Sequence, residues 1–360
     1  MKTAYARIVI KIGSNVLTRN DGTLDITRMS ALTDQIASIL HQGIEVILVS
    51  SGAVAAGRSE MYPKRKLDNI AQRQLFSAVG QAKLINRYYE LFREHGITVG
   101  QVLTTKESFS TRQHYLNQRT CMEVMLQNGI LPIVNENDTI ALTELMFTDN
   151  DELSGLIAAM MNAQALILLS NIDGVFSGIP SDPESFLLRE INPKDNLTEY
   201  IQQEKSGFGR GGMITKTRIS RQIAAEGINV WIANGKRENI LTMLLNNPQD
   251  TPCTHFKAAK VPTSSIKKWI AHSQDFCKGS LFINKEVTLR LLSGQVISIL
   301  PVGITNIEGD FEKDDLVHIF GSDETEIGIG KTDYPAIAVQ AVMGCKEKKA
   351  IVHYDFLYIK

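Results

Sequence analysis

The sequence predicts an α/β protein, with a doubly wound, mainly parallel open sheet sandwiched by helices and a small, mostly β domain after it. Three observations carry this. Apolar runs rich in Ile and Val at residues 8–10, 46–49, 130–134 and 165–169 are continuous rather than alternating, as expected of strands buried on both faces. Stretches of helical spacing separate them, and polar or glycine-rich loops follow the strand ends. From residue 279 onwards the signals shorten to brief strands punctuated by turns.

The first strand, residues 6–12, ends in a turn at Gly13 and carries Lys11, which needs an anion if buried or must snorkel from the strand end. Asn20-Asp21-Gly22 is a turn signal joining two short strands. Met29, Leu32, Ile36, Ile39 and Leu40 recur at helical spacing over 27–41, and Gly43 ends that helix. The strand at 46–49 runs into Ser50-Ser51-Gly52-Ala53-Val54-Ala55-Ala56-Gly57, small residues that let a ligand approach backbone amides or simply make a tight turn. Residues 68–95 read as one long helix or two, 97–103 as a strand and 111–127 as a helix. A helix over 153–161 and a strand over 165–169 come next, then irregular chain from Asp173 to Pro193. The loop 207–212 opens a helix over 213–225, and 229–233 is a strand. Pro248, Pro252 and Pro262 mark a break, which gives three regions: 1–250, a linker 251–277, and a β domain 278–360. Strands are expected there at 279–283, 296–300, 316–320, 326–330 and 350–353.

Composition excludes several classes. Hydrophobic residues at 43% and charged residues at 21% describe an ordinary soluble chain, and a net charge of −1 exerts no general pull on nucleic acid. The four cysteines are scattered with no CxxC pair, which argues against a zinc ribbon or a disulfide framework and fits a reducing cytoplasm. Lys11 interrupts the first apolar run, so no secretory signal is expected. The apolar stretch 156–169 contains Asn162 and Gln164 and is too short to span a bilayer, so no membrane association is expected.

The chemistry concentrates around residues 135–152. No Lys or Arg occurs from Thr120 to Leu188, yet six acids crowd one segment: Glu136, Asp138, Glu144, Asp149, Asp151 and Glu152. Such repulsion requires solvent, a metal or cations from elsewhere in the fold. Lys11 is one candidate cation. Lys216 is another, since Gly211-Gly212-Met213-Ile214-Thr215-Lys216 joins bare amides, a helix start and a lysine, a combination suited to phosphate. The Walker A spacing is absent, and Gly207-x-Gly209-x-Gly211 follows no convincing strand. If the sheet gathers both lysines at one carboxylate, the ammonium groups can face a transferring phosphoryl group. None of the seven histidines lies in these loops, and no Ser or Cys sits in a nucleophile elbow.

Taken together, Ile10-Lys11-Ile12-Gly13-Ser14-Asn15, the segment 50–58, Asn135-Glu136-Asn137-Asp138, Asp149-Asn150-Asp151 and the loop 211–216 resemble the glutamate 5-kinase family, which has the amino acid kinase fold. Residues 300–304 and 309–311 resemble the PUA domain that many bacterial members carry. The resemblance implies phosphorylation of the γ-carboxylate of L-glutamate by ATP with Mg²⁺, the first step of proline synthesis, with the metal on the nucleotide and no protein metal site. Carried over by position, Lys11 and Lys216 stabilise the phosphoryl group and Asp151 orients them. Ser51, Gly52, Ala53, Asn135, Asp138, Asp149 and Asn150 hold glutamate, with Asp138 suited to its α-ammonium. Gly13, Ser170, Asn171, Arg210, Gly211, Gly212, Met213, Ile214 and Thr215 line the nucleotide together with the two lysines. The resemblance also implies a homo-oligomer, proline as feedback inhibitor and a functional partnership with glutamate-5-semialdehyde dehydrogenase. Three positions depart from the family pattern, all on the nucleotide side: Asn171 for Asp, Arg210 for Thr, and Ile179 in place of the Asp of Asp-Pro.

Two alternatives stand beside this reading. One is a kinase for aspartate or N-acetylglutamate; Asp138, a partner for a free ammonium, argues against the acetylated substrate. The other is an RNA-binding regulator acting through the β domain. Residues 278–360 hold nine Lys/Arg against twelve Asp/Glu, a net −3, which disfavours nucleic acid as a partner, with Lys346-Glu347-Lys348-Lys349 the one local basic patch.

Overall fold

The structure is a computed structural model and describes residues 5–140, 150–192, 195, 212–260, 265–346 and 349–359. Among them the chain divides into two compact units, Met1–Pro262 and Thr263–Lys360.

The first unit runs β1 (Arg7–Ile12), α1 (Ser14–Leu17), α2 (Ile26–His41), β2 (Glu45–Ser50), α3 (Ala53–Arg58), α4 (Asn69–Arg93), β3 (Thr98–Thr104), a 3-10 turn (Lys106–Phe109), α5 (Arg112–Gln127) and β4 (Ile130–Glu136). It continues with α6 (Asn150–Met160), β5 (Ala165–Ser170), β6 (Glu190–Ile191), α7 (Met213–Ala225), β7 (Asn229–Asn234), α8 (Ile240–Asn246) and β8 (Cys253–Phe256). The strands form one sheet in the order β3-β4-β2-β1-β5-β7-β8-β6. Every neighbouring pair from β3 to β7 is parallel, whereas β8 runs antiparallel to β7 and pairs in parallel with β6. The central strands are apolar on both faces because helices cover both faces. Ile8, Val9, Ile10, Leu166, Ile167 and Leu168 are fully buried. The chain moves from β1 to β2 on one side and returns to β5 on the other. The carboxyl ends of β1, β2, β4 and β5 therefore surround the point where strand order reverses, the usual ligand crevice of such sheets.

Several boundaries differ from the sequence reading. The stretch 68–95 holds a single helix, Asn69–Arg93, capped where Ala71 N donates to the Asp68 carboxylate at 2.8 Å. The expected hairpin at residues 20–22 reduces to one antiparallel bridge between Thr18 and Leu24. The stretch 173–193 contains a bridge between Phe176 and Leu187 and the short strand β6. Residues 251–277, expected as a linker, supply β8 to the large sheet and a helix to the second unit. Pro252 lies immediately before that strand, where a missing N–H costs no ladder bond.

The second unit comprises α9 (Ser265–Ala271), β9 (Gly279–Ile283), α10 (Lys285–Leu292), β10 (Ile304–Gly309), β11 (Leu316–Phe320), β12 (Glu326–Thr332), α11 (Ala336–Val342) and β13 (Val352–Ile359). Its sheet order is β10-β9-β11-β12-β13, antiparallel except for β9 with β11. Leu281, Val317, Ile319, Ile327 and Val352 belong to its core. The strand expected at 296–300 is not formed. Val296 is exposed and only Ile299 pairs, in a single bridge to Val352, because Pro301 ends the run before alternation can develop.

One contact fixes how α3 and α4 approach each other. A Cβ added to Gly80 would collide with the backbone oxygen of Ala53, and one added to Gly57 with that of Phe76. Gly80→Ala therefore has to push the two helices apart, and it should destabilise the protein by about 1–3 kcal/mol, read as a lowered midpoint of chemical denaturation.

Candidate active site

Lys11 lies one residue before the end of β1, and its side chain is almost fully buried. Asp151 occupies the first turn of α6, which begins at Asn150 rather than at residue 153, and it is completely buried. A carboxylate there also meets the positive end of the helix dipole. Lys216 lies in the first turn of α7. Lys11 Nζ stands 2.5 Å from Asp151 Oδ1, and Lys216 Nζ stands 2.6 Å from Asp151 Oδ2. Each carboxylate oxygen thus holds one ammonium. Burial drives the Asp151 carboxyl group upward. The charges and hydrogen bonds of Lys11 and Lys216 outweigh that effect and hold it at about 2, against an ordinary value of 3.8. Gly155 permits this meeting from behind. Its bare α-carbon leaves room for Ile219 and Ile223 of α7, which would stand 3.1 Å from a Cβ there.

Asn150, next to Asp151, faces a different group. Its Nδ2 donates to Ser50 O at 3.1 Å, Ser51 Oγ at 3.0 Å and Asn135 Oδ1 at 3.2 Å. Asn135 Nδ2 donates to Gln81 Oε1 at 3.3 Å, and Gln81 Nε2 donates to Glu136 O at 3.0 Å. Ser51 and Asn135 are therefore joined through Asn150. Gly52 adopts φ +104 between Ser51 and Ala53, a left-handed turn that places a glycine there for steric reasons.

Asp138, expected from sequence to suit the substrate's α-ammonium, meets side chains of α4. It forms an ion pair with Arg73 on α4, at 2.6 Å from Nη2 and 2.9 Å from Nε, both to Oδ1, while Ser77 Oγ donates to Oδ2 at 3.3 Å. Arg73 Nη2 also reaches Glu136 Oε2 at 3.3 Å. Lys106 approaches Glu152 at 3.9 Å. Arg73, Ser77 and Gln81 were not among the residues expected from sequence. Their signal is present all the same: polar side chains at i, i+4 and i+8 continue the stripe that Leu84 and Tyr88 bury farther along α4.

On the remaining side, Gly13 N donates to Leu169 O at 3.1 Å, and a Cβ on Gly13 would stand 3.5 Å from Lys11 Nζ. Ser170 ends β5 with Asn171 next to it, and Ser170 Oγ meets Asn171 Oδ1 at 3.4 Å. Gly212 caps α7, ahead of Met213, Ile214, Thr215 and Lys216 in its first turn. Asp149, Glu144, Arg210, Gly211 and part of the basic patch 346–349 lie outside the described residues. Among the described residues no group of three or more His, Cys, Asp and Glu side chains could hold a metal ion, and no helix is long and apolar enough to cross a membrane.

Known proteins match this sequence. Residues 6–234 match the amino acid kinase family, and residues 279–354 match the PUA domain. The chain is 64% identical over 360 residues to a glutamate 5-kinase of Bacteroides thetaiotaomicron, covering 100% of each. It is 46% identical over 357 residues to a glutamate 5-kinase of Chlorobaculum tepidum, covering 99% of this chain and 98% of that one. A glutamate 5-kinase of Thermoanaerobacter sp. is 36% identical over 354 residues, 97% of this chain and 94% of that one. With the first unit matched from before β1 through β7 and relatives aligned along the whole length, the chain belongs to the amino acid kinase family and carries a PUA domain.

Proposed function

We propose that this chain transfers the γ-phosphoryl group of ATP to the γ-carboxylate of L-glutamate, giving L-glutamyl 5-phosphate for proline biosynthesis. The observation that carries this reading is the buried Lys11–Asp151–Lys216 bridge, in a chain 64% identical end to end to a glutamate 5-kinase. A γ-carboxylate oxygen forms a bond to the γ-phosphorus. The bond from that phosphorus to the β,γ-bridging oxygen breaks, and ADP leaves with the electron pair. A side-chain carboxyl of pKa about 4.3 is already ionised at neutral pH, so no general base is needed. The obstacle is one anion approaching another.

Lys11 and Lys216 meet that obstacle as fixed cations facing the non-bridging phosphoryl oxygens, and Asp151 holds both in place before substrate arrives. Two ammonium groups on one carboxylate leave a net +1 at the reacting centre. Both Asp151 oxygens are engaged with lysines, and Mg²⁺ arriving with ATP would neutralise phosphate charge. Ser51, Gly52, Ala53, Asn135, Asp138 and Asn150, together with Asp149, hold glutamate. Gly13, Ser170, Asn171 and the loop from Arg210 to Lys216 line the nucleotide. The enzyme works as a cytoplasmic homo-oligomer with proline as feedback inhibitor, and its acyl phosphate product passes to glutamate-5-semialdehyde dehydrogenase.

Incubation with ATP, Mg²⁺ and hydroxylamine should yield hydroxamate when L-glutamate is added and none when it is omitted. Product formed with aspartate or N-acetylglutamate in its place would overturn the substrate assignment.

Asp151→Asn should lower kcat by roughly 100- to 1,000-fold while moving the glutamate KM less than about threefold, since it disturbs cations that act on the transition state. Equal losses in both parameters would count against an organising role.

The depressed Asp151 carboxyl also fixes a pH dependence. A group lowered from 3.8 to about 2 contributes stability that is complete above its unfolded value and is lost as pH falls through 4 toward 2. Urea titrations between pH 6 and pH 2 should show wild type losing on the order of 2 kcal/mol more than Asp151→Asn.

A further inference from the structure

Arg73 is bound to the acidic segment in a way that leaves part of it unspent. A guanidinium carries five N–H donors in a planar fork. Nε–H and one Nη2–H go to Asp138 Oδ1, and Nη2 also reaches Glu136 Oε2. Nη1, with two donors, makes no hydrogen bond among the described residues, and the side chain is 36% exposed. Asp138 is similarly half used. Oδ1 takes both arginine contacts, while Oδ2 has only the Ser77 hydroxyl at 3.3 Å. Glu136, buried beneath them, fixes the plane of the guanidinium at 3.3 Å. Among the described residues, one ion pair therefore keeps an unused cationic donor at Nη1 and spare acceptor capacity at Asp138 Oδ2 beyond the Ser77 hydroxyl.

That pair is matched to the two charges that flank the α-carbon of an amino acid. We infer that Arg73 is a specificity-determining residue: its Nη1 receives the α-carboxylate of the substrate while Asp138 Oδ2 receives the α-ammonium. Arg73 thereby selects against substrates whose α-carboxylate is blocked. This rests on the reading that Asp138 holds the amino-acid end of glutamate. Arginine suits the task better than lysine would, because one planar group bonds Asp138, Glu136 and a ligand at once. It also assigns a place to Glu136, which acts through Arg73 as a positioning residue.

The test compares L-glutamate with L-isoglutamine, which keeps the γ-carboxylate and α-ammonium but carries an α-carboxamide. Both are assayed as hydroxamate formation with the full-length wild type, Arg73→Gln and Arg73→Lys. Wild type should prefer glutamate. Arg73→Gln should raise the glutamate KM roughly 10- to 100-fold, the worth of a hydrogen bond between charged groups, with kcat and the ATP KM within about threefold. Its kcat/KM for isoglutamine should stay unchanged, so the preference collapses, and Arg73→Lys should recover part of it. Wild type that does not discriminate, a preference that survives in Arg73→Gln, or a glutamate KM that falls in that variant would each overturn the inference. The last outcome would show that Arg73 plugs the ammonium site instead. Wild type that forms no glutamate-dependent hydroxamate would instead overturn the kinase reading on which the inference rests.

Discussion

One buried carboxylate holding two ammonium groups is the interaction on which the rest of the first unit depends. Lys11 comes from β1, Asp151 from α6 after β4, and Lys216 from α7, which precedes β7. Remove the carboxylate and two buried cations oppose each other; remove the cations and a buried anion has no counter-charge. Each state costs stability, so the bridge favours β1, α6 and α7 meeting at one point. The sheet allows that meeting through its order, because β1 lies between β2 and β5 where the winding reverses. Small residues then remove the steric obstacles: Gly13 beside the Lys11 ammonium, and Gly155 where α6 meets α7.

The acidic segment shows which parts of this were legible beforehand. A base-free stretch holding six acids is visible at once, and so is its need for cations. Lys11 and Lys216 could be nominated because each sits in an unusual local setting, a lysine in an apolar strand and a lysine opening a glycine-led helix. Arg73 could not be nominated that way. A helical arginine 65 residues before Asp138 looks like any solvated surface charge, and only tertiary packing turns it toward Asp138 and Glu136. The same holds for Lys106 and Glu152. Local anomaly can be read along a chain; a long-range ion pair between ordinary residues cannot.

Secondary structure divides along similar lines. Strands of the parallel core, such as β1, β2 and β5, announce themselves because burial on both faces makes nearly every residue before the strand end apolar. At the sheet margin the constraint relaxes. β6 has two residues, and β8 hides among prolines where composition suggests a linker. In the second unit the reverse error occurs. Val296-Ile297-Ser298-Ile299-Leu300 has the composition of a strand, yet only Ile299 finds a partner. Short apolar runs next to proline carry too little periodicity to separate a strand from an extended loop.

Charge arrangement explains why the site has two chemically distinct ends. Lys11, Lys216 and Asp151 sum to +1, whereas Arg73, Asp138 and Glu136 sum to −1. Between them runs an uncharged relay: Asn150 to Asn135, Asn135 to Gln81, and Gln81 to the backbone of Glu136. Glutamate placed along that axis meets its own complement, with the γ-carboxylate at the positive end and the ammonium at the negative end. Reversing the molecule would place the ammonium beside two lysines and the γ-carboxylate beside two acids. Neutral amides in the middle separate the two charged ends, so in the proposed reaction the polarity of the site would select the carboxylate that meets ATP.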